Sequence, residues 1–227
     1  MKRILKQHPM KTPTYISAIC FALCSLSLIN HAFAASALTF NANADGFVYE
    51  GGSPGSTRGW EFDVLAPGGI AITDLGVFDG GAAGLYTSHA VGIWNSFGNL
   101  LVSATVPAGT AAPLDPNNLF RIVGTPNVVL PQGTGYRIAA YYESDPPDFD
   151  PLQTVASNFD VDPSIAFVNS CYQANVATLT YPPQTASFEN PGFFGPSFDF
   201  VVVPEPSAMT LVLASVVLGI RRCRMRA

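Results

Sequence analysis

The sequence contains very little histidine and cysteine, and most of its basic residues lie at the two ends. Only three histidines and four cysteines occur in 227 residues, and between residues 35 and 203 they are reduced to His89 and Cys171. A Ser–His–Asp or Cys–His catalytic site needs histidine as its proton carrier, so an enzyme of either type would depend on His89. One histidine and one cysteine cannot supply the usual ligands of zinc, and a single cysteine cannot form an internal disulfide.

Basic side chains are also scarce in the middle of the chain. Residues 35–203 carry three arginines against fifteen aspartates and glutamates, a formal charge of −12, whereas the whole chain carries −5. A domain this acidic repels phosphate backbones, which argues against a nucleic-acid partner and against anionic membrane surfaces. The composition suits an extracellular domain that meets divalent cations.

The N-terminus has the three parts of a secretory signal peptide. Four basic residues (Lys2, Arg3, Lys6 and Lys11) precede an apolar run over 16–29, and Ala32-Phe33-Ala34 follows with small residues where signal peptidase requires them. We therefore predict a signal peptide over residues 1–34, cut after Ala34. A retained anchor helix is the alternative, but the run is short for a bilayer. A lipoprotein is a second alternative, although neither Cys20 nor Cys24 follows a lipobox pattern.

The C-terminus has the pattern of a stop-transfer segment. Pro204-Glu205-Pro206 precedes an apolar run over 208–220, which an arginine-rich end over 221–226 follows. The arginines can hold that end in the cytoplasm, and the prolines prevent the helix from continuing into the domain. We therefore predict a short transmembrane helix within residues 203–227. A plain single-span tail anchor has the same physical features.

These C-terminal features, in this order, resemble the PEP-CTERM sorting signal. The resemblance covers about 25 residues and depends on Pro204, Glu205, Pro206, the apolar span and the arginine cluster. It implies an exosortase as a partner, cleavage near the sorting motif, and transfer to the cell surface or to an exopolysaccharide matrix.

Residues 35–202 have the pattern of an all-β domain. Short alternating apolar runs are separated by glycine, proline, asparagine and aspartate, and no 12-residue stretch keeps a helical period. This spacing predicts a single antiparallel β-sandwich, with a jelly roll as the close variant. From 145 to 196 the pattern weakens, which predicts long loops with a few short strands. The predicted strands are 60–64, 70–78 with a bulge at Gly76, 89–95, 100–106, 120–123, 127–130, 136–142 and 197–203, with a hairpin turn over 96–99.

The stretch from Gly59 to Tyr142 resembles a β-sandwich module of unknown function that recurs in PEP-CTERM proteins. Most of the matching positions are apolar or turn residues, so this resemblance implies a fold and no activity. The matching segments are 59–62, 72–76, 78–79, 89–94, 101–109 and 130–136.

Carboxylates give two candidate sites. Glu61 and Asp63 would lie on one face of a strand, as a hydrolase acting on glycosides would need, although such residues are usually a solvated face. Asp145, Asp148 and Asp150 lie with Glu143 on a proline-containing acidic loop, and hard oxygen ligands on a loop suit Ca²⁺. Calcium binding there is a prediction, and an ordinary solvated loop is the alternative.

Tryptophan gives a further candidate site. Trp60 and Trp94 could stack on sugar rings, as aromatic platforms of β-sandwich modules do, although core packing is the usual role of a tryptophan in an alternating strand. Taken together, we predict a non-enzymatic surface or matrix protein that associates with exopolysaccharide and has no required cofactor. A carbohydrate-binding module, with or without calcium, is the alternative, and a hydrolase is the third.

Overall fold

In the computed structural model every regular element of the described residues is a β-strand. The structure describes residues 34–40, 47–48, 55–115, 119–143, 150, 153–154, 159–186 and 192–205. Within these ranges the strands are β1 (Ala35–Ser36), β2 (Leu38–Phe40), β3 (Phe47–Val48), β4 (Ser56–Val64), β5 (Ile70–Phe78), β6 (His89–Trp94), β7 (Leu100–Val106), β8 (Phe120–Leu130), β9 (Gly133–Tyr142), β10 (Gln153–Thr154), β11 (Phe159–Val161), β12 (Ile165–Ala174), β13 (Gln184–Ala186) and β14 (Pro196–Val202).

Two main antiparallel sheets form a sandwich. The smaller has the order β1-β14-β5-β8, and the larger has the order β13-β12-β4-β9-β6-β7. Two further pairs, β2 with β11 and β3 with β10, are also antiparallel. The predicted all-β, antiparallel, sandwich-like architecture is confirmed for the described residues.

Aromatic side chains join the two main sheets. Trp60 and Phe62 on β4 alternate with polar neighbours, and their rings contact Phe198 on β14 at centroid distances of 5.8 and 4.9 Å. All three side chains are at most 1% exposed. Each buried aromatic ring stabilises the fold by roughly 2–3 kcal/mol relative to an exposed one. The indole Nε1 of Trp60 donates to the carbonyl of Pro196 at 2.9 Å, so this buried N–H has a hydrogen-bond acceptor.

Strand β9 presents the face that its alternation predicts. Tyr136, Ile138, Ala140 and Tyr142 are all buried, which confirms that they share the core side. The predicted hairpin between β6 and β7 is also confirmed, with Val91 opposite Ala104 and Trp94 opposite Leu100.

Three details of the strand prediction are wrong. The bulge in β5 is at Thr73 rather than Gly76, because Thr73 is the extra residue where consecutive Asp199 and Phe200 of β14 pair with Asp74 and Ile72. The two runs over 120–123 and 127–130 form one strand, β8, whose Pro126 is tolerated at a sheet edge. Strand β12, ten residues long, lies within the stretch predicted as long loops.

The strand ends define two ends of the sandwich. The end where the chain leaves at Val203, here the exit end, also holds the loop 65–69, the turn 95–99 and the turn 131–132. Val203 donates its amide to Gly69, Gln132 donates to the carbonyl of Leu65 at 3.1 Å, and a Cβ built on Gly135 would lie 3.1 Å from that of Ser96. The opposite end holds the start of β6, the loop 79–88 and Asp150.

Both predicted membrane-directed segments fall almost wholly on residues outside the described ranges. Residues 1–33 of the predicted signal peptide and residues 206–227 of the predicted tail are not described. Among the residues that the structure does describe, no helix has the length and apolarity needed to cross a bilayer.

Candidate functional site

The one histidine between residues 35 and 203 lies in a buried ion pair. His89 begins β6 and is fully buried, and its Nε2 lies 2.8 Å from Oδ2 of Asp150, which is 6% exposed. Its Nδ1 donates to the carbonyl of Tyr141 at 3.0 Å, and its ring packs on that of Tyr142 with centroids 4.8 Å apart. The imidazole is therefore fixed on every side.

The hydrogen bonds of His89 and Asp150 indicate a structural role for this pair. A carbonyl oxygen can only accept, so Nδ1 carries a proton, and the contact of Nε2 with a carboxylate needs a second proton between them. Asp150 also accepts the amide of Tyr86 at 2.8 Å to each oxygen and that of Thr87 at 3.1 Å. The pair joins the segment around Asp150 to the loop before β6, and its ring nitrogens face no solvent that could bring a substrate.

Of the predicted calcium ligands, only Asp150 lies within the described residues. Asp145 and Asp148 lie outside the described residues, whereas both oxygens of Asp150 accept backbone amides and one also pairs with His89. Ligation of Ca²⁺ by Asp150 would have to replace these bonds. Within the described ranges there is no group of three or more His, Cys, Asp or Glu placed to hold a metal ion.

A second buried pair lies near the first, at the opposite end. Nε of Arg121 donates to Oδ2 of Asp79 at 2.9 Å, and the same oxygen accepts the amide of Gly84. The two terminal guanidinium nitrogens donate to the carbonyls of Ala112 and Ala82. Because these donors and acceptors close two loops onto the end of the sandwich, we assign the pair a structural role.

Cys171 lies on β12 opposite Gly59 and has no exposed surface. Burial raises the pKa of the Cys171 thiol well above its ordinary range, against the smaller lowering effect of Arg137. A nucleophilic cysteine needs a thiolate and access. Cys171 has neither in this environment.

Both tryptophans that could have stacked on sugars are buried. Trp60 has no exposed surface and lies in the core, and Trp94 is 4% exposed. Trp94 lies beneath Tyr181, with ring centroids 6.3 Å apart. A sugar could reach either indole face only if the surrounding side chains moved away.

The carboxylates considered for hydrolysis are also engaged. Oε2 of Glu61 accepts from Nε of Arg137 at 2.8 Å and lies 2.6 Å from Nη2 of the same guanidinium. Nη1 of Arg137 donates to the carbonyl of Pro182, and the guanidinium lies 5.3 Å from the ring centroid of Tyr181. Asp63 accepts the amide of Gly135 at 2.9 Å. These contacts fix the segment around Tyr181 on the sheet and hold Oε2 of Glu61 in an ion pair with Arg137.

The surface of the exit end is unusually apolar. Of the seven large hydrophobic side chains exposed among the described residues, five lie there: Leu65, Phe97, Leu100, Val129 and Val202. Phe97 is 88% exposed and occupies a rigid turn in which Oδ1 of Asn95 accepts the amides of Phe97 and Asn99, each at 3.0 Å. Gly98 has φ +79°, which glycine adopts without strain. The sequence predicts this turn. It does not predict that the five exposed hydrophobic side chains would lie at the same end of the sandwich.

The predicted sorting motif follows β14, the last strand of the described residues. Pro204 and Glu205 are exposed and lie beyond β14, whereas Pro206 is outside the described residues. At the other terminus Ala34 is exposed and immediately precedes β1.

No protein-family model matches this chain, and no curated protein and no solved structure matches it either. The resemblance to PEP-CTERM proteins therefore depends on the residues quoted for it, and function must be argued from the chain itself.

Proposed function

We propose that the chain is an exported, non-enzymatic protein of the cell surface or extracellular matrix, released there by an exosortase-type system. The observation that carries this proposal is the pair of apolar segments with basic flanks at the two termini, with an acidic β domain between them. The tail would first anchor the protein in the inner membrane, and cleavage near Pro204-Glu205-Pro206 would then free it for association with exopolysaccharide.

The positions of the two domain termini support this order of processing. Ala34 and Pro204 are exposed, and each lies just outside a strand of the smaller sheet. β1 pairs with β14 in a register that places Ala35 opposite Phe200. A protease could therefore cut at either point without removing a strand, and both cuts would leave the sandwich whole.

The contacts of the candidate chemical groups support a role without catalysis. His89 and Asp150 are used in a buried pair, Glu61 is held by Arg137, and Cys171 is buried with a raised thiol pKa. Each of these groups would have to lose structural contacts before it could act on a substrate.

We also propose that the domain is a jelly-roll-like sandwich, with a signal peptide before it and a short transmembrane helix after it. The path of the chain supports the jelly-roll-like part, since β4, β5 and β6 lie in alternate sheets, as do β7, β8 and β9.

The test is intact-mass analysis of the full chain recovered from fractions of a host that carries an exosortase. We expect the surface fraction to begin at Ala35 and to lack the arginine-rich end. Replacement of Pro204, Glu205 and Pro206 by alanine should leave the protein in the membrane fraction at its uncut C-terminal mass.

The matched control is Ser207→Ala, which changes the next residue and leaves the motif intact, so normal release is expected. Recovery of the complete, uncut polypeptide as a folded cytosolic protein would contradict the proposal.

A further inference from the structure

We infer that the exit end of the sandwich is a lipid-contacting surface that rests on the bilayer while the tail is inserted. This surface consists of Leu65, Phe97, Leu100, Val129 and Val202. The inference rests on the proposed function in one respect, since it takes the apolar run over 208–220 to be inserted in a membrane.

The first observation is the placement of the five side chains. Phe97 is 88% exposed and the other four are between 40% and 55% exposed. Leu65 follows β4, and Phe97 and Leu100 belong to the β6–β7 hairpin. Val129 and Val202 lie at the C-terminal ends of strands β8 and β14. Scattered single hydrophobic residues need no explanation, but a cluster rimmed by polar groups marks an interaction surface.

The second observation is the length of chain between this surface and the apolar run. Val203 is held at the exit end by its hydrogen bond to Gly69 at 3.0 Å. Only five residue steps separate Val203 from Ala208, which span at most about 18 Å when fully extended. While the run is inserted, the exit end therefore cannot move far from the headgroups.

The side chains suit a zwitterionic lipid interface. A phenylalanine on a rigid turn and aliphatic side chains around it can enter the boundary between headgroups and acyl chains at little entropic cost, because Asn95 already orders the turn. The cation described near this end, Arg137, is engaged by Glu61 and Pro182. We therefore expect contact with phosphatidylcholine without any gain from anionic lipid.

A protein partner fits this surface less well. A stable interface buries about 800 Å² on each partner, which five exposed side chains from four separate segments of the chain cannot supply without the bilayer's adaptable surface. The charge of −12 over residues 35–203 also opposes pairing of two copies.

The test uses the full chain in vesicles of phosphatidylcholine with brominated acyl chains, which quench nearby tryptophan. Phe97→Trp places a reporter on the proposed surface, and Tyr86→Trp places a matched reporter, 58% exposed, at the opposite end. The unsubstituted chain gives the background from buried Trp60 and Trp94. We expect loss of emission and a shift to shorter wavelength for the reporter at position 97, and neither change for the reporter at position 86.

Flotation of the vesicles measures membrane insertion of the chain separately. If the chain does not float, the proposed membrane stage fails. If it floats but the reporter at position 97 is quenched no more than the one at position 86, the lipid-contacting surface alone is overturned. A blue shift at position 97 that appears without lipid and grows with protein concentration would assign the surface to a second copy, which also overturns the inference.

Discussion

Nε2 of His89 and Oδ2 of Asp150 lie 2.8 Å apart in a site that is almost closed to solvent, 61 residues apart in the chain. The pair joins the start of β6 to Asp150, at the end of the acidic loop. Two charges taken out of water depend on each other, and removal of one leaves the other unpaired.

Substitution of His89 by leucine should destabilise the domain by about 3 kcal/mol, because Asp150 would keep its buried charge without the imidazole. The measurement is urea unfolding of the single variants His89→Leu and Asp150→Asn and of the double variant. We expect the double variant to lose clearly less than the sum of the singles. Additivity within about 0.5 kcal/mol would show that the two residues do not interact energetically.

Gly59 should not tolerate a side chain. A Cβ at this position would lie 1.9 Å from the carbonyl oxygen of Ile138 and 2.5 Å from Cα of Ala139 on β9. Both are backbone atoms, so Gly59→Ala must separate β4 from β9, and we expect a loss of about 1–3 kcal/mol in unfolding free energy.

The matched control for this substitution is Gly81→Ala. A Cβ there meets no atom within 4 Å, so its unfolding free energy should stay within about 0.5 kcal/mol of the parent. Equal effects of the two substitutions would refute the close approach of β4 and β9.

The Cys171 thiol should be inert in the folded domain. Burial raises its pKa, so the thiolate that reacts with alkylating reagents is absent as well as inaccessible. With the other cysteines replaced by serine, we expect iodoacetamide to modify the native chain only at the rate of its unfolding. Rapid alkylation at pH 8 without denaturant would contradict the buried position.

Asp199 should make the domain less stable as pH rises above the acidic range. Burial raises the pKa of this carboxyl, nearby Asp74 and Asp115 raise it further, and the hydrogen bond from Ser36 opposes them. The folded state therefore disfavours the ionised form relative to the unfolded chain. The resulting loss of stability begins at the unfolded pKa, about 4, and is complete above the folded one.

Asp199→Asn removes this dependence and keeps an oxygen that can accept from Ser36. We expect a higher unfolding free energy than the parent at pH 7 and the same or a lower one at pH 3. Asp160→Asn, at an exposed position, serves as the control for loss of one negative charge. A lower unfolding free energy for Asp199→Asn than for the parent at pH 7 would contradict this prediction.

The sequence allowed most of the fold to be predicted, because alternation of apolar and polar residues is a local signal. β5, β7 and the core face of β9 were found this way. β12 was not, since Phe167, Cys171 and Tyr172 do not alternate regularly across the bulge between Phe167 and Asn169. The bulge at Thr73 has no glycine to mark it.

The candidate sites were harder to predict because they depend on distant contacts. The acidity of Asp150 suggested a metal ligand, but its partner His89 lies 61 residues earlier. Phe97 is a candidate for an interaction surface because Leu65, Val129 and Val202 lie at the same end of the sandwich. Only the fold shows this placement. Burial, which removed Trp60 and Trp94 from consideration as open platforms, also follows only from the packing of the sheets.

The pairing of β1 with β14 has a consequence for biosynthesis. β14 lies between β1 and β5, and it supplies Phe198 and Phe200 to the core. The first strand of the smaller sheet can pair only after the last strand has been synthesised, so this sheet cannot close earlier. Until then the polypeptide lacks a complete hydrophobic interior and leaves apolar surface open to aggregation or to chaperones.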